Sequence, residues 1–183
     1  MAAAPLFMSV DEYLRTPETL VPQELAFGAL RVSEAPHPRH QQAVFAIARA
    51  LDAYVSAYAL GQVWISPLDV ILDEQRALIV QPDLFFISSA RGFIVRDRVR
   101  GAPDLVVEVL SPHPRIGEFR ERLGWFAQYG VRECWAYRQM ERRLDVHALN
   151  TAGVLSTLTL DQREPIRSAV LPGFSRSLDE ILT

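Results

Sequence analysis

The run Leu105–Leu110, LVVEVL, constrains this chain more than any other stretch. Five of its six residues are apolar and three are valine, the pattern of a strand buried on both faces. Glu108 nevertheless sits inside it. An isolated carboxylate cannot be desolvated there without a compensating partner, because the cost runs to many kcal/mol. Any fold that buries this strand must therefore bring Glu108 a buried arginine, a proton, or a metal ion shared with another acid.

The surrounding pattern says what kind of fold can do this. Ser9–Arg15 reads as a short helix, with Ser9 as N-cap and Glu12 closing a capping box. ELAFGALRVSE alternates about Gly28 as a hairpin. From His40 to about Ala59, the residues Val44, Ile47, Ala48, Leu51, Tyr54, Val55 and Tyr58 share one face of an amphipathic helix. Strand-like segments follow in GQVWISPLDVIL, ALIVQPDLFFIS and PDLVVEVLS, the last two separated by the loop SARGFIVRDRVRGA. A second helix is expected from Ile116 to Tyr129, stopped by Gly130 as the C′ residue. VRECWAYR, RRLDVHAL and GVLSTLTL then supply further strands. The order predicts one mixed α/β domain over 1–183, without internal repeats or linkers.

Composition closes several routes. The 183 residues are 49% hydrophobic and 22% charged, the balance of a globular chain. No apolar run is long enough to span a bilayer, and the N-terminal stretch lacks the basic region of a signal peptide, so a cytoplasmic location is expected. The single cysteine, Cys134, offers neither a disulfide framework nor a zinc site. His37, His113 and His147 have no metal-binding spacing. No GxSxG surrounds Ser111, and no glycine-rich nucleotide loop is present. Net charge is −3, so no global basic field marks a nucleic-acid partner. All 19 basic residues are arginine. Chemistry that relies on a lysine must find a substitute.

Strand geometry limits which acids can cooperate. Asp104 and Glu108 point to the same face of one strand but lie roughly 13 Å apart, too far to share one ion conveniently. Asp104 reads as a turn and capping residue. Asp83, which opens the preceding strand in QPDLFF, would lie beside Glu108 if the two segments pair, since neighbouring strands run about 4.8 Å apart. Two carboxylates so placed repel unless a cation sits between them or one is protonated. Mg²⁺, a hard ion that keeps several waters, suits such a pair, with Mn²⁺ as a substitute.

QPDLFFIS, GAPDLVVEVLSP and YGVRECW, together with MSVDEYLRTPE, ELAFGAL, RHQQAVFAIARAL and LPGFSRSLDEIL, resemble the Uma family of "putative restriction endonucleases". That family is a branch of the PD-(D/E)XK nuclease superfamily. The resemblance implies a restriction-endonuclease-like core, a central mixed sheet flanked by helices, and a Mg²⁺-dependent site that hydrolyses DNA phosphodiester bonds. It implies Asp83 and Glu108 as metal-binding acids, with Glu24 as a third acid; from the residues alone, Glu24 reads equally as a solvated strand-edge charge. The superfamily's lysine, two residues after the second acid, is Leu110 here. The Uma lysine on the following helix corresponds to Arg122, which can stabilise phosphate charge but cannot serve as a base. The alternative is a surface arginine paired with Glu118.

Substrate contacts are expected from Arg96, Arg98 and Arg100 in the loop between the acid-bearing strands, adding to Arg91, Arg115 and Arg120. The competing reading is a solvated loop with Asp97 as partner. His40, at the start of the long helix, is either a substrate contact or a helix-terminal polar group. The rival function is a weakened or inactive nuclease fold kept for nucleic-acid or protein binding. A homodimer is expected if both strands of a duplex are cut, with GVLSTLTL among the strands available for edge pairing.

Overall fold

The structure is a computed structural model that describes residues 7–17, 19, 21–32, 35–111 and 119–183. The expectations placed on His113, Arg115, Glu118 and a helix start at Ile116 lie outside the described residues. Four α-helices occur among the described residues: α1 (Val10–Leu14), α2 (Pro38–Ala57), α3 (Phe119–Tyr129) and α4 (Leu178–Leu182). No helix among them is long and apolar enough to cross a membrane.

The strands divide between two mixed sheets where a central sheet was expected. The larger runs β11 (Gly153–Leu160), β10 (Arg143–Asn150), β9 (Glu133–Arg138), β8 (Leu105–Leu110), β6 (Leu84–Ser88), β3 (Gly61–Ile65). Within it only β8 and β9 are parallel. The smaller runs β2 (Ala29–Val32), β1 (Gln23–Ala26), β5 (Leu78–Val80), β4 (Val70–Asp73), β7 (Val99–Arg100). The chain passes between the sheets several times, and two of those links contain proline. A cis Ser66–Pro67 bond separates β3 from β4, and Gln81–Pro82–Asp83 separates β5 from β6. Proline cannot donate to a ladder, so each Pro-containing link lets the chain leave one sheet for the other.

Local signals explain the small elements. Ser9 and Ser177 each accept from the backbone of the residue three on, and Glu12 and Glu180 bond back, giving α1 and α4 matching capping boxes. Phe27 and Gly28, with φ of 51° and 85°, form the two-residue turn of the β1–β2 hairpin. At the end of α3, Gly130 N–H donates to Ala127 and Val131 N–H to Phe126, a Schellman pair built on Gly130 at φ 100°. The loop after β6 carries a 3-10 helix, Ser89–Ile94, before β7.

Alternation along β8 then sorts the core into layers. Leu105, Val107 and Val109 face one cluster, with Ala43, Val44, Ile47, Leu51 and Val55 of α2 and with Leu171, Phe174 and Leu178. Val106 faces a second cluster, containing Val70, Leu78 and Val80 of the smaller sheet and Leu123, Trp125 and Phe126 of α3. The smaller sheet's other face is covered by α1, where Val10 and Tyr13 meet Leu25, Ile71 and Ile79. Cys134 is buried in the second cluster, and burial pushes its thiol well above the ordinary range. Tyr58, expected on the packed face of α2, is exposed and lies just past the helix end at Ala57. Glu108 belongs to the face of Val106. It therefore projects toward α3 and the hairpin, and this orientation positions the site.

Candidate active site

The question raised by Glu108 has a direct structural answer. Its Oε1 accepts two hydrogen bonds from Arg122 of α3, from Nε at 3.2 Å and from Nη2 at 2.7 Å. The third branch of the same guanidinium, Nη1, donates to Glu24 Oε2 at 2.5 Å. The other oxygen of Glu24 accepts from the backbone N–H of Gln81 at 2.6 Å. Glu24, Glu108 and Arg122 are 1%, 8% and 7% exposed, so this is a buried acid–arginine–acid triad rather than a surface pair. The guanidinium also lies 5.6 Å from the ring centre of Phe126, one helical turn on.

Asp83 completes the corner. The β6–β8 register pairs Leu84 with Val107, so one step further Asp83 faces Glu108. Its Oδ2 accepts from the backbone N–H of Val109 at 2.7 Å, and its Oδ1 lies 3.1 Å from Nε2 of His40 in the first turn of α2. Asp83 is the most open of these acids, its side chain 21% exposed against 10% for Glu108 and 2% for Glu24. Five residues expected at the site from sequence thus converge from β1, α2, the β5–β6 link, β8 and α3. Glu24 is not a solvated edge charge, and Arg122 is not a surface arginine.

The electrostatics are uneven. Glu108 is pushed up to about 7 by burial first and by the charges of Asp83 and Glu24 in addition, against the opposing pull of Arg122. Burial also works against charge on Arg122, yet Glu108 and Glu24 together outweigh it and hold the guanidinium firmly protonated. The two directions agree once the sharing is counted. Arg122 has two anions, whereas Glu108 has half of one cation and a second anion beside it. Burial likewise disfavours His40⁺, but the bond and charge of Asp83, then the charge of Glu108, raise its pKa on balance.

A hard cation fits this corner in one way. Asp83, immediately before β6, and Glu108 on the neighbouring β8 present oxygen donors, and Glu108 Oε2 receives no hydrogen bond from a described residue. An ion such as Mg²⁺ needs only one or two carboxylates when waters and phosphate complete its shell. Among the described residues, no group of three or more His, Cys, Asp or Glu side chains is gathered to enclose an ion. The donor set therefore suits an open, two-carboxylate site and not a closed cage.

A family described as "Putative restriction endonuclease", Uma2, matches residues 10–179. The chain belongs to the Uma2 family. No curated protein matches it. Among solved structures, the crystal structure of "a putative nuclease belonging to DUF820" from Anabaena variabilis ATCC 29413 superposes with a TM-score of 0.78 at 16% identity. The match covers 96% of this chain and 97% of that one. At that identity the likeness is one of fold: a restriction-endonuclease-like core, here with its strands in two sheets.

The other sequence candidates fall differently in this Uma2 chain. Asp104 is structural: Oδ2 accepts from Ser88 N–H at 2.8 Å, and Oδ1 faces Arg132 at 2.7 Å and Arg91 at 3.4 Å. The loop arginines form no unopposed patch. Arg98 pairs with Asp69 at 3.1 Å, Arg100 with Asp97 at 3.2 Å and Glu74 at 3.3 Å, and the exposed Arg96 reaches the Phe93 carbonyl.

Sequence reasoning missed Gln81, Asp69 and Tyr13. Gln81 Nε2 and the Tyr13 hydroxyl both donate to Asp69 Oδ1, so α1, the smaller sheet and Arg98 are tied to the residue that holds Glu24. The Pro after Gln81 marked a break, but nothing local indicated that the break's N–H would cap an acid from another strand.

Proposed function

We propose that this chain is a divalent-metal-dependent nuclease that hydrolyses DNA phosphodiester bonds, with Asp83 and Glu108 as the acids that hold Mg²⁺ or Mn²⁺. The observation that carries the reading is the convergence of Asp83, Glu108, Glu24, Arg122 and His40 at one corner that is buried at Glu24 and open at Asp83. The Uma2 family is described as "Putative restriction endonuclease" and the Anabaena protein as "a putative nuclease", which supports the reaction class. A bound divalent ion would polarise the phosphate and lower the pKa of a coordinated water.

The chain's own residues have separate tasks in this reading. Val109 N–H and His40 fix the orientation of Asp83, so its carboxylate is held before any ion arrives. Gln81 and Arg122 fix Glu24, and Arg122 fixes Glu108. The buried guanidinium, with three of its N–H groups bonded to the acids, would act on negative charge developing on phosphate through its fixed positive charge. Arg96 and Arg98 are the loop residues proposed to contact the DNA backbone; Arg100, engaged by two carboxylates, has less to offer. Two-strand cleavage would employ a homodimer.

One observation favours a second reading. Arg122 stands where a lysine is expected and is already shared between two acids, so its guanidinium is committed to the protein before any substrate arrives. The chain would then be an inactive nuclease-fold module that binds nucleic acid or protein. Incubating supercoiled, linear and single-stranded DNA with Mg²⁺ or Mn²⁺, beside Glu108→Ala, separates the two. The nuclease reading expects metal-dependent cutting that disappears in the variant. Intact DNA with folded wild-type protein overturns it.

A further inference from the structure

The triad and the Asp83–Glu108 pair share one residue, and the two oxygens of that residue are used differently. Glu108 Oε1 takes both hydrogen bonds from Arg122, while Oε2 takes none from a described residue. Glu24 has neither oxygen free, one held by Gln81 N–H and the other by Arg122. Asp83 keeps lone pairs on both oxygens beyond its bonds to His40 and Val109. Three acids in a row therefore define two gaps, Glu24–Glu108 and Glu108–Asp83. A guanidinium fills the first.

We infer that the corner has two cation positions and that Arg122 permanently occupies one, so the chain takes up a single divalent ion, between Asp83 and the free oxygen of Glu108. The inference rests on the metal-dependent reading above and adds the stoichiometry of the site and the division of labour among its acids. Three features make Arg122 a resident cation and not a mobile latch. It bonds to acids on two different sheets, it stacks on Phe126, and it cannot release its proton. A lysine in its place would be a point charge with a free stem and three rotatable donors, able to leave Glu24 when a second ion arrived. The arginine removes that option. Glu24 is thereby a positioning residue, holding the guanidinium and not the ion.

Mn²⁺ binding to the full chain, followed by electron paramagnetic resonance of the free ion, tests this without reference to cleavage. Wild type is expected to bind one Mn²⁺ per chain and Arg122→Met two. Asp83→Asn should weaken the wild-type ion tenfold or more, whereas Glu24→Gln, which removes only a more distant charge, should weaken it about threefold or less. Two ions in wild type would overturn the inference, as would one ion of unchanged affinity in folded Arg122→Met. If Arg122→Met does not fold, the Glu24→Gln arm decides alone: loss as large as that of Asp83→Asn makes Glu24 a ligand and sinks the idea. Absence of any bound Mn²⁺ in wild type would instead bring down the metal-dependent reading itself.

Discussion

Asp104, just before β8, and Glu108, within it, lie four residues apart, both almost fully buried, yet their environments have opposite signs. Burial opposes the charge of Asp104, but the Ser88 backbone bond leads a set of compensations, with Arg91 and Arg132 adding theirs, and its pKa falls below the usual carboxylate range. Glu108 has one guanidinium, shared with Glu24, and Asp83 across the strand gap, and its pKa rises to about 7. The partners of Asp104 reach water, with side chains 32% and 57% exposed, whereas Arg122 does not. Burial is common to both positions. What separates the two acids is whether the fold supplies enough positive charge locally. At Asp104 it does, and at Glu108 it leaves a deficit that a cation or a proton can fill.

The largest effect expected is from removing the triad's cation. Arg122→Met leaves two buried carboxylates facing each other and should cost about 3–5 kcal/mol, read from urea unfolding at pH 8. Replacing Arg132 at the other end should cost far less, because Arg91 and the Ser88 N–H still hold Asp104. Equal losses at the two ends would erase the contrast. A smaller effect follows from pH. Glu108 has a folded pKa above its unfolded value, so its favourable contribution is complete below about 4.5 and is lost as pH rises toward about 7. Asp104 has a lowered folded pKa, so its contribution is complete above the ordinary carboxylate value and is lost as pH falls below that value through the lowered folded one. Unfolding curves between pH 2 and 8 should therefore lose a downward slope above pH 4 in Glu108→Gln, while Asp104→Asn removes acid sensitivity below the ordinary value of 3.8 instead. A Glu108→Gln curve parallel to wild type over this range would contradict the uncompensated charge.

That contrast also marks how far the sequence could be read. The α1 capping box, the Gly28 hairpin, the stop at Gly130 and the amphipathic α2 are local signals, and each stands as expected because the physics sits within a few residues. The burial of LVVEVL and the placing of Asp83 beside Glu108 followed from strand pairing, a single long-range step. The division into two sheets did not follow, since it depends on which strands pair after each of several crossings, and strands such as β5 and β6 on either side of Pro82 looked continuous. Nor did the triad, which joins Glu24, Glu108 and Arg122 across separations of 98 and 14 residues. The resemblance to the Uma family pointed to Arg122 as the residue at a lysine position. That it also answers the charge of Glu24 was not visible, because a charged residue in a four-residue strand gives no sign of which element will cover it.

The smallest expected effect concerns the loop arginines, where the same principle of local compensation ranks residues of one type. Arg100 faces two carboxylates, Asp97 and Glu74, and Arg98 faces one, Asp69, whose other oxygen is engaged by Gln81 and Tyr13. Arg98 thus keeps more of its charge for a phosphate, and Asp69 and Gln81 link it to Glu24. Arg98→Ala should lower the slope of log affinity for duplex DNA against log salt by about one unit, whereas Arg100→Ala should shift it by much less. Fluorescence anisotropy in Ca²⁺, at several salt concentrations, measures both. Equal changes would mean that pairing within the loop does not decide which arginines meet the backbone.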